Sequence, residues 1–193
     1  MRATIVAVGG YASNVGKTTL VCDLLRRFHG WEAIKLTRGH YRSCGKDPDT
    51  CCVSHLLGDR PLVLSGRKDT YAAGKDTGLF WDAGARNVHW VIATESQVTE
   101  GILEALARVT APGVIIEGTS PISLIPVDYA IMVAGSDGIR MKPSARKAVS
   151  RVNSFYVANG MRKIENAITY TRETLDALIA DIKAHSSLMI TRI

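Results

Sequence analysis

One stretch limits what this chain can fold into: Gly9-Gly10-Tyr11-Ala12-Ser13-Asn14-Val15-Gly16-Lys17-Thr18-Thr19. Before it runs Ala3-Thr4-Ile5-Val6-Ala7-Val8, a β-branched segment that reads as a buried strand. After it, Leu20, Val21, Leu24, Leu25 and Phe28 recur at helical spacing. Strand, glycine loop, Gly-Lys-Thr and helix is the context that a phosphate-binding loop requires. Glycines let backbone N–H groups turn inward on phosphate oxygens, and the helix N-terminus adds free donors and a positive dipole end. The candidate nucleotide contacts are therefore Gly10, Ser13, Asn14, Val15, Gly16, Lys17, Thr18 and Thr19. Lys17 is expected to reach the β- and γ-phosphates, and Thr18 to ligate Mg²⁺ through its hydroxyl. Five residues separate Gly10 from Gly16, one more than the usual spacing, because Tyr11 stands where the first glycine normally falls.

A loop of this kind predicts an α/β domain: three layers, with a mainly parallel sheet flanked by helices and ligands at the C-terminal strand ends. At 193 residues the chain suits one domain with a substantial core. Its 46% hydrophobic and 22% charged content is that of an ordinary globular protein. No apolar run is long enough to span a bilayer, and Met1-Arg2-Ala3-Thr4-Ile5 leads directly into the first strand, so a cytoplasmic location is expected. A net charge of +6 suits anionic ligands. Aromatics are only 6% and are not interleaved with basic residues, which argues against a nucleic-acid-binding surface. The four cysteines in such a chain point to metal, redox chemistry or burial before disulfides.

Further along, Trp31-Glu32-Ala33-Ile34-Lys35-Leu36-Thr37 reads as the second strand. Lys35 and Thr37 stand near its C-terminal end, where they either face phosphate or substrate or are solvated. Residues 38–75 break the β/α rhythm and read as a substrate or partner loop, with Pro61-Leu62-Val63-Leu64 as one short strand within a hairpin. This loop carries Cys44, Cys51, Cys52 and His55. Three thiols and an imidazole are a possible Cys₃His zinc set, at non-standard spacing. The competing readings are ordinary loop residues or an oxidisable Cys44–Cys51 pair. Cys22 belongs with the core of the first helix.

Asp76 or Thr77 is expected to cap a helix that turns Leu79, Phe80 and Ala83 inward and ends at Gly84. Lys75 beside that helix start hints at an anion. A helix over 98–109 has Val98, Ile102, Leu103, Leu106 and Val109 as its apolar positions. Pro112-Gly113-Val114-Ile115-Ile116-Glu117-Gly118 is the second strong signal: a buried strand ending in a carboxylate and a glycine. Glu117 fits the acid that a phosphate-loop enzyme uses to hold Mg²⁺, and Gly118 would admit the γ-phosphate closely. The segment 139–163 has Arg140, Lys142, Arg146, Lys147, Arg151, Arg162 and Lys163 and no acid. It reads as a solvated helix, or as a docking face for an anionic substrate or partner with Lys142 and Arg146 side by side. Residues 154–160 read as the last strand, with Asn159 placed to contact a nucleotide base, and 171–185 as a C-terminal amphipathic helix capped by Thr171.

Gly16-Lys17-Thr18-Thr19, Lys35, Gly74-Lys75-Asp76-Thr77 before Asp82-Ala83-Gly84-Ala85, and Ile116-Glu117-Gly118 together resemble the MobB family, accessory proteins of molybdopterin guanine dinucleotide synthesis. The loop spacing resembles that of dethiobiotin synthetase, within the SIMIBI class of P-loop proteins. The MobB resemblance covers about residues 3–120. It implies a P-loop NTPase fold, GTP binding with weak hydrolysis, Mg²⁺, a homodimer and a partner enzyme. The candidate catalytic residues are Lys17, Lys35 and Glu117, and the candidate substrate contacts are Thr37, Lys75, Asp76, Thr77 and Gly118. No Asn-Lys-x-Asp guanine-reading motif is present, so the residues leave GTP and ATP open. The alternatives are a dethiobiotin-synthetase-like ATP-dependent ligase, a small-molecule kinase, or a nucleotide-gated metal or cofactor chaperone with the cysteine loop as cargo site.

Overall fold

The computed structural model describes residues 2–39, 53–135, 140–158, 164 and 167–190. Eight strands form one sheet in the order β3-β4-β2-β5-β1-β6-β7-β8. They are β1 (Thr4–Gly10), β2 (Glu32–Arg38), β3 (Leu62–Ser65), β4 (Val88–Ala93), β5 (Gly113–Glu117), β6 (Tyr129–Ala134), β7 (Ser154–Val157) and β8 (Thr169–Tyr170). All neighbours are parallel except β3, which runs antiparallel to β4 at one edge. The helices are α1 (Lys17–Arg27), α2 (Arg67–Thr70), α3 (Asp76–Asp82), α4 (Val98–Ala107), α5 (Pro121–Leu124), α6 (Pro143–Ala148) and α7 (Leu175–Ile190). This is the expected three-layer α/β arrangement.

The two-residue period of the strands divides the core. Val6, Val8, Ala33, Ile115, Tyr129 and Ile131 face α1, α3 and α7. Ile34, Val91, Val114 and Ile116 face α4, while Ala7, Ala130 and Met132 face α5 and α6. The central strands are covered on both sides, which explains their continuous apolar runs.

Several boundaries differ from the sequence reading. The segment around 61–64 is a strand, but α2 and α3 separate it from its partner β4, so there is no hairpin. β7 stops at Val157 and is followed by β8; Asn159 lies outside the described residues. α7 begins at Leu175, because Thr171 is engaged in a preceding turn in which its N–H donates to Thr174 Oγ1 at 2.8 Å. Leu79 and Leu103 point outward, and in α4 Ala105 takes the buried position instead. Cys22 is buried in the core, as expected.

At the N-terminal end of the parallel strands, away from the loop, Glu32 is wholly buried. Its carboxylate accepts from the Thr110 N–H (3.1 Å), the Thr110 hydroxyl (2.9 Å) and the Ala111 N–H (3.0 Å), and pairs with His89 Nε2 (2.8 Å). Burial alone would raise its pKa, but the hydrogen bonds from His89 and Thr110 outweigh it and hold the carboxyl below the ordinary value. The network ties the starts of β2 and β4 to the turn entering β5. Removing it with Glu32→Ala strands buried donors, so urea unfolding should show a loss of about 3–5 kcal/mol. In the wild type, a depressed carboxyl pKa contributes stability above pH about 4.5, and that contribution should fade as the pH falls below it.

Candidate functional site

The loop joins β1 to α1 at the C-terminal edge of the sheet, between β5 and β6. Tyr11 N–H still donates to Val133 O at 3.0 Å, so the extra residue extends the pairing with β6 before the loop turns away. Asn14 (φ 58°) and Gly16 (φ 95°) are left-handed, which turns successive N–H groups toward one hollow. A Cβ on Gly10 would lie 2.7 Å from Val15 Cγ2 and 2.9 Å from Lys17 Cδ, so only glycine fits beneath the lysine stem. Gly10 N–H donates to Thr119 Oγ1 at 3.0 Å, which ties the loop to the end of β5. Val15 is buried and anchors the loop in the core, while Ser13, Asn14, Gly16, Lys17, Thr18 and Thr19 line the cavity above it.

Sheet register delivers the charged residues. Glu117 is paired with Val8 on β1 and with Lys35 on β2, and Lys35 is paired with Trp90 on β4. Strand periodicity turns this row toward α1 and α3. Glu117 is 2% exposed, and its carboxylate accepts from Lys35 Nζ at 2.7 Å and from Thr18 Oγ1 at 3.0 Å. Asp76 completes the group: it pairs with Lys35 and accepts from Thr18 Oγ1 at 3.2 Å. Asp76 therefore does not cap α3, as the sequence reading had it; Lys75 holds the cap position, and no side chain caps the helix. Gly78 makes the placement possible, since a Cβ there would overlap the Ala72 carbonyl oxygen of the turn leading into α3.

Charge and burial are in close balance. Burial would lower the Lys35 pKa, but Glu117 and the hydrogen bonds to both carboxylates raise it overall. Burial would likewise raise Asp76, yet Lys35 and Thr18 hold it below the ordinary carboxylate value. Lys17 is lowered, chiefly by burial, with Lys35 adding to the effect and Glu117 opposing it; its ammonium donates to Ala12 O at 3.3 Å. The donors fit Mg²⁺, which favours hard oxygen ligands: a hydroxyl and two carboxylates converge, with an ammonium as their counter-charge.

The cavity has a volume of about 1000 Å³ and reaches well past the loop. Thr37, Lys75, Thr77 and Gly118, the expected substrate contacts, line it. Thr37 Oγ1 accepts from Trp90 Nε1 at 2.8 Å, and Gly118 packs against Leu36, where a Cβ would come within 3.1 Å. Trp90, Arg38, Tyr71 and Lys142 line it too, and for Trp90 and Tyr71 no local sequence signal marks this. Lys142 and Arg146 do not share a face: Lys142 lines the cavity, while Arg146 is exposed with its Nε donating to Met141 O at 3.1 Å. Burial and the nearby Lys17 and Arg38 push the Lys142 pKa down to about 8. Cys44, Cys51 and Cys52 lie outside the described residues, and His55 is exposed. Among the described residues no three His, Cys, Asp or Glu side chains group to hold a metal, and no helix is long and apolar enough to cross a membrane.

The fold is that of the P-loop proteins. LpxK from Aquifex aeolicus, solved in complex with ATP, is similar with a TM-score of 0.56 and 16% identity over 89% of this chain and 54% of that one. The present chain thus spans about half the length of LpxK. Molybdopterin-guanine biosynthesis protein B (mobB) aligns with a TM-score of 0.42 and 16% identity over 93% of this chain and 98% of that one. No protein-family model and no curated protein matches the sequence.

Replacing Lys35 by Met leaves Glu117 and Asp76 without their shared cation. Urea unfolding at pH 7 should show a loss of about 3 kcal/mol, partly restored by Mn²⁺ alone. An unchanged midpoint would show that the ammonium is not their counter-charge. Lys142 should become reactive toward acetic anhydride around pH 8, where its amine turns neutral, well below the pH of about 10 typical of lysine. Peptide mass spectrometry across a pH series reads this directly.

Proposed function

We propose that this chain binds a nucleoside triphosphate with Mg²⁺ and slowly hydrolyses or transfers its γ-phosphate, as a MobB-like accessory protein. The supporting observation is the convergence of Thr18, Lys35, Asp76 and Glu117 beside the loop lysine. Asp76 comes from the Gly74-Lys75-Asp76-Thr77 segment, the most specific part of the MobB resemblance, so that segment has a role at the phosphates. In this reading the loop N–H groups and Lys17 hold the β- and γ-phosphates. Thr18, Asp76 and Glu117 hold the metal, which when bound neutralises phosphate charge and orients the phosphate oxygens. Lys35, released from the carboxylates it bridges, is within the same cavity to stabilise charge on the phosphoryl group in transit. A homodimer and a partner enzyme belong to this reading.

The size of the cavity favours a second reading, a dethiobiotin-synthetase-like ligase or a small-molecule kinase. Space bounded by Arg38, Tyr71 and Trp90 would then take the acceptor.

Titration of GTP and ATP with Mg²⁺ against the wild type and Lys17→Ala tests both. The wild type should bind, and the variant should bind about a hundredfold more weakly or not at all. GTP preference with slow unassisted turnover supports the accessory role. ATP preference, with turnover that accelerates when a small carboxylate or amine acceptor is supplied, supports the ligase or kinase. Absence of binding to either nucleotide would falsify the reading of the loop.

A further inference from the structure

Lys142 is the cation that the nucleotide reading leaves without a task. It lines the same cavity as Lys17, Glu117 and Gly118. Its stem stands on a firm base. The Lys142 N–H donates to Tyr11 O at 2.8 Å, at the start of the phosphate loop, and Pro143 opens α6 directly after it. Proline at the first helical position fixes the local backbone and needs no hydrogen-bond partner for its nitrogen.

The ammonium is poorly matched to its surroundings. It is partly buried, and among the described residues it has no hydrogen bond or ion pair of its own. The charge that bears on it most strongly is Lys17, followed by Arg38; the attraction of Glu117 ranks below both. Partly buried like charges without a counter-ion raise the free energy of a site, and an anion between them removes that cost. Among the described residues, five basic side chains and three carboxylates line the cavity, so their surplus is positive. Lys17 is the loop lysine. An anion shared between it and Lys142 is therefore a phosphate held by the loop, and Arg38 at the end of β2, the next charge that bears on Lys142 and a lining residue of the same cavity, sets that phosphate at the outer end of the chain.

Resting on the nucleotide reading above, we propose that Lys142 contacts the terminal phosphate of a bound nucleoside triphosphate and makes the site prefer triphosphate to diphosphate. It would act from within the chain and from the side of the loop opposite α3, where Asp76 stands. No covalent step is assigned to it; it adds positive charge where negative charge accumulates.

The test compares GTP with GDP, and ATP with ADP, each with Mg²⁺, on the wild type, Lys142→Gln, Lys142→Arg and the exposed control Lys147→Gln. Lys142→Gln should lose about tenfold or more in triphosphate affinity, as expected for a lost charge-assisted hydrogen bond, while diphosphate affinity stays within about threefold. Lys142→Arg should recover most of the preference, and Lys147→Gln should behave as wild type. In the wild type, triphosphate but not diphosphate should protect Lys142 from acylation by acetic anhydride, a readout that does not depend on how the variants fold. Equal losses for both nucleotides, no loss, or equal protection by both would overturn the proposal while the nucleotide reading stands. A wild type that binds no nucleotide removes both together.

Discussion

Two carboxylates and one ammonium share a position at the mouth of the phosphate loop, and much of the architecture serves to bring them there. Lys35 and Glu117 are paired across neighbouring parallel strands, so the register of β2 on β5 fixes their separation. Asp76 arrives from the third side on α3, and Thr18 rises from the first turn of α1 to touch both acids. None of these groups would be stable here alone. A carboxylate as buried as Glu117 needs a cation, and Lys35 needs the acids to keep its proton in a site that burial disfavours. The three side chains thus balance their charges among themselves, so that none of them is orphaned at this buried position.

The parts legible in the sequence were those whose signal is contiguous. The loop between β1 and α1 spells out its own context, and Glu117 ends an apolar run, so each could be assigned without its partners. Lys35 needed only strand polarity to be placed at the right edge. Asp76 was misread because an acid before a helix looks the same whether it caps the backbone or reaches across to another element; only the turn permitted by Gly78 distinguishes the two. Trp90 gave no local sign, since its place beside Lys35 follows from which strands become neighbours, and neighbour choice is a long-range property. Lys142 was visible as one of a basic series. What was hidden is that Pro143 starts the helix after it, which removes it from the exposed face that Arg146 occupies.

The two ends of the sheet have different duties. At the end remote from the loop, the Glu32 carboxylate gathers donors from the turn before β5 and the His89 ring, and every bond it makes is to the protein itself. At the loop end the polar groups are arranged around a cavity, and Lys142 has no internal partner among the described residues. A buried network that is satisfied gives rigidity, and one left open gives a place for a ligand. The same parallel strands therefore carry a closed polar network at their starts and an open one at their ends.

The strand order has a consequence for how the molecule is made. β1 precedes the other seven strands in the order of the chain, yet its two neighbours are β5 and β6, with Ile5 set against Val114 and Val6 against Tyr129. Neither edge of the central strand can be covered until more than half of the chain has emerged, and pairings this distant in sequence are slow to close. Through that interval an apolar strand and its glycine loop wait without the sheet that shapes them. The phosphate loop, although local in sequence, thus takes its final shape only when strands far from it in the chain have paired with β1.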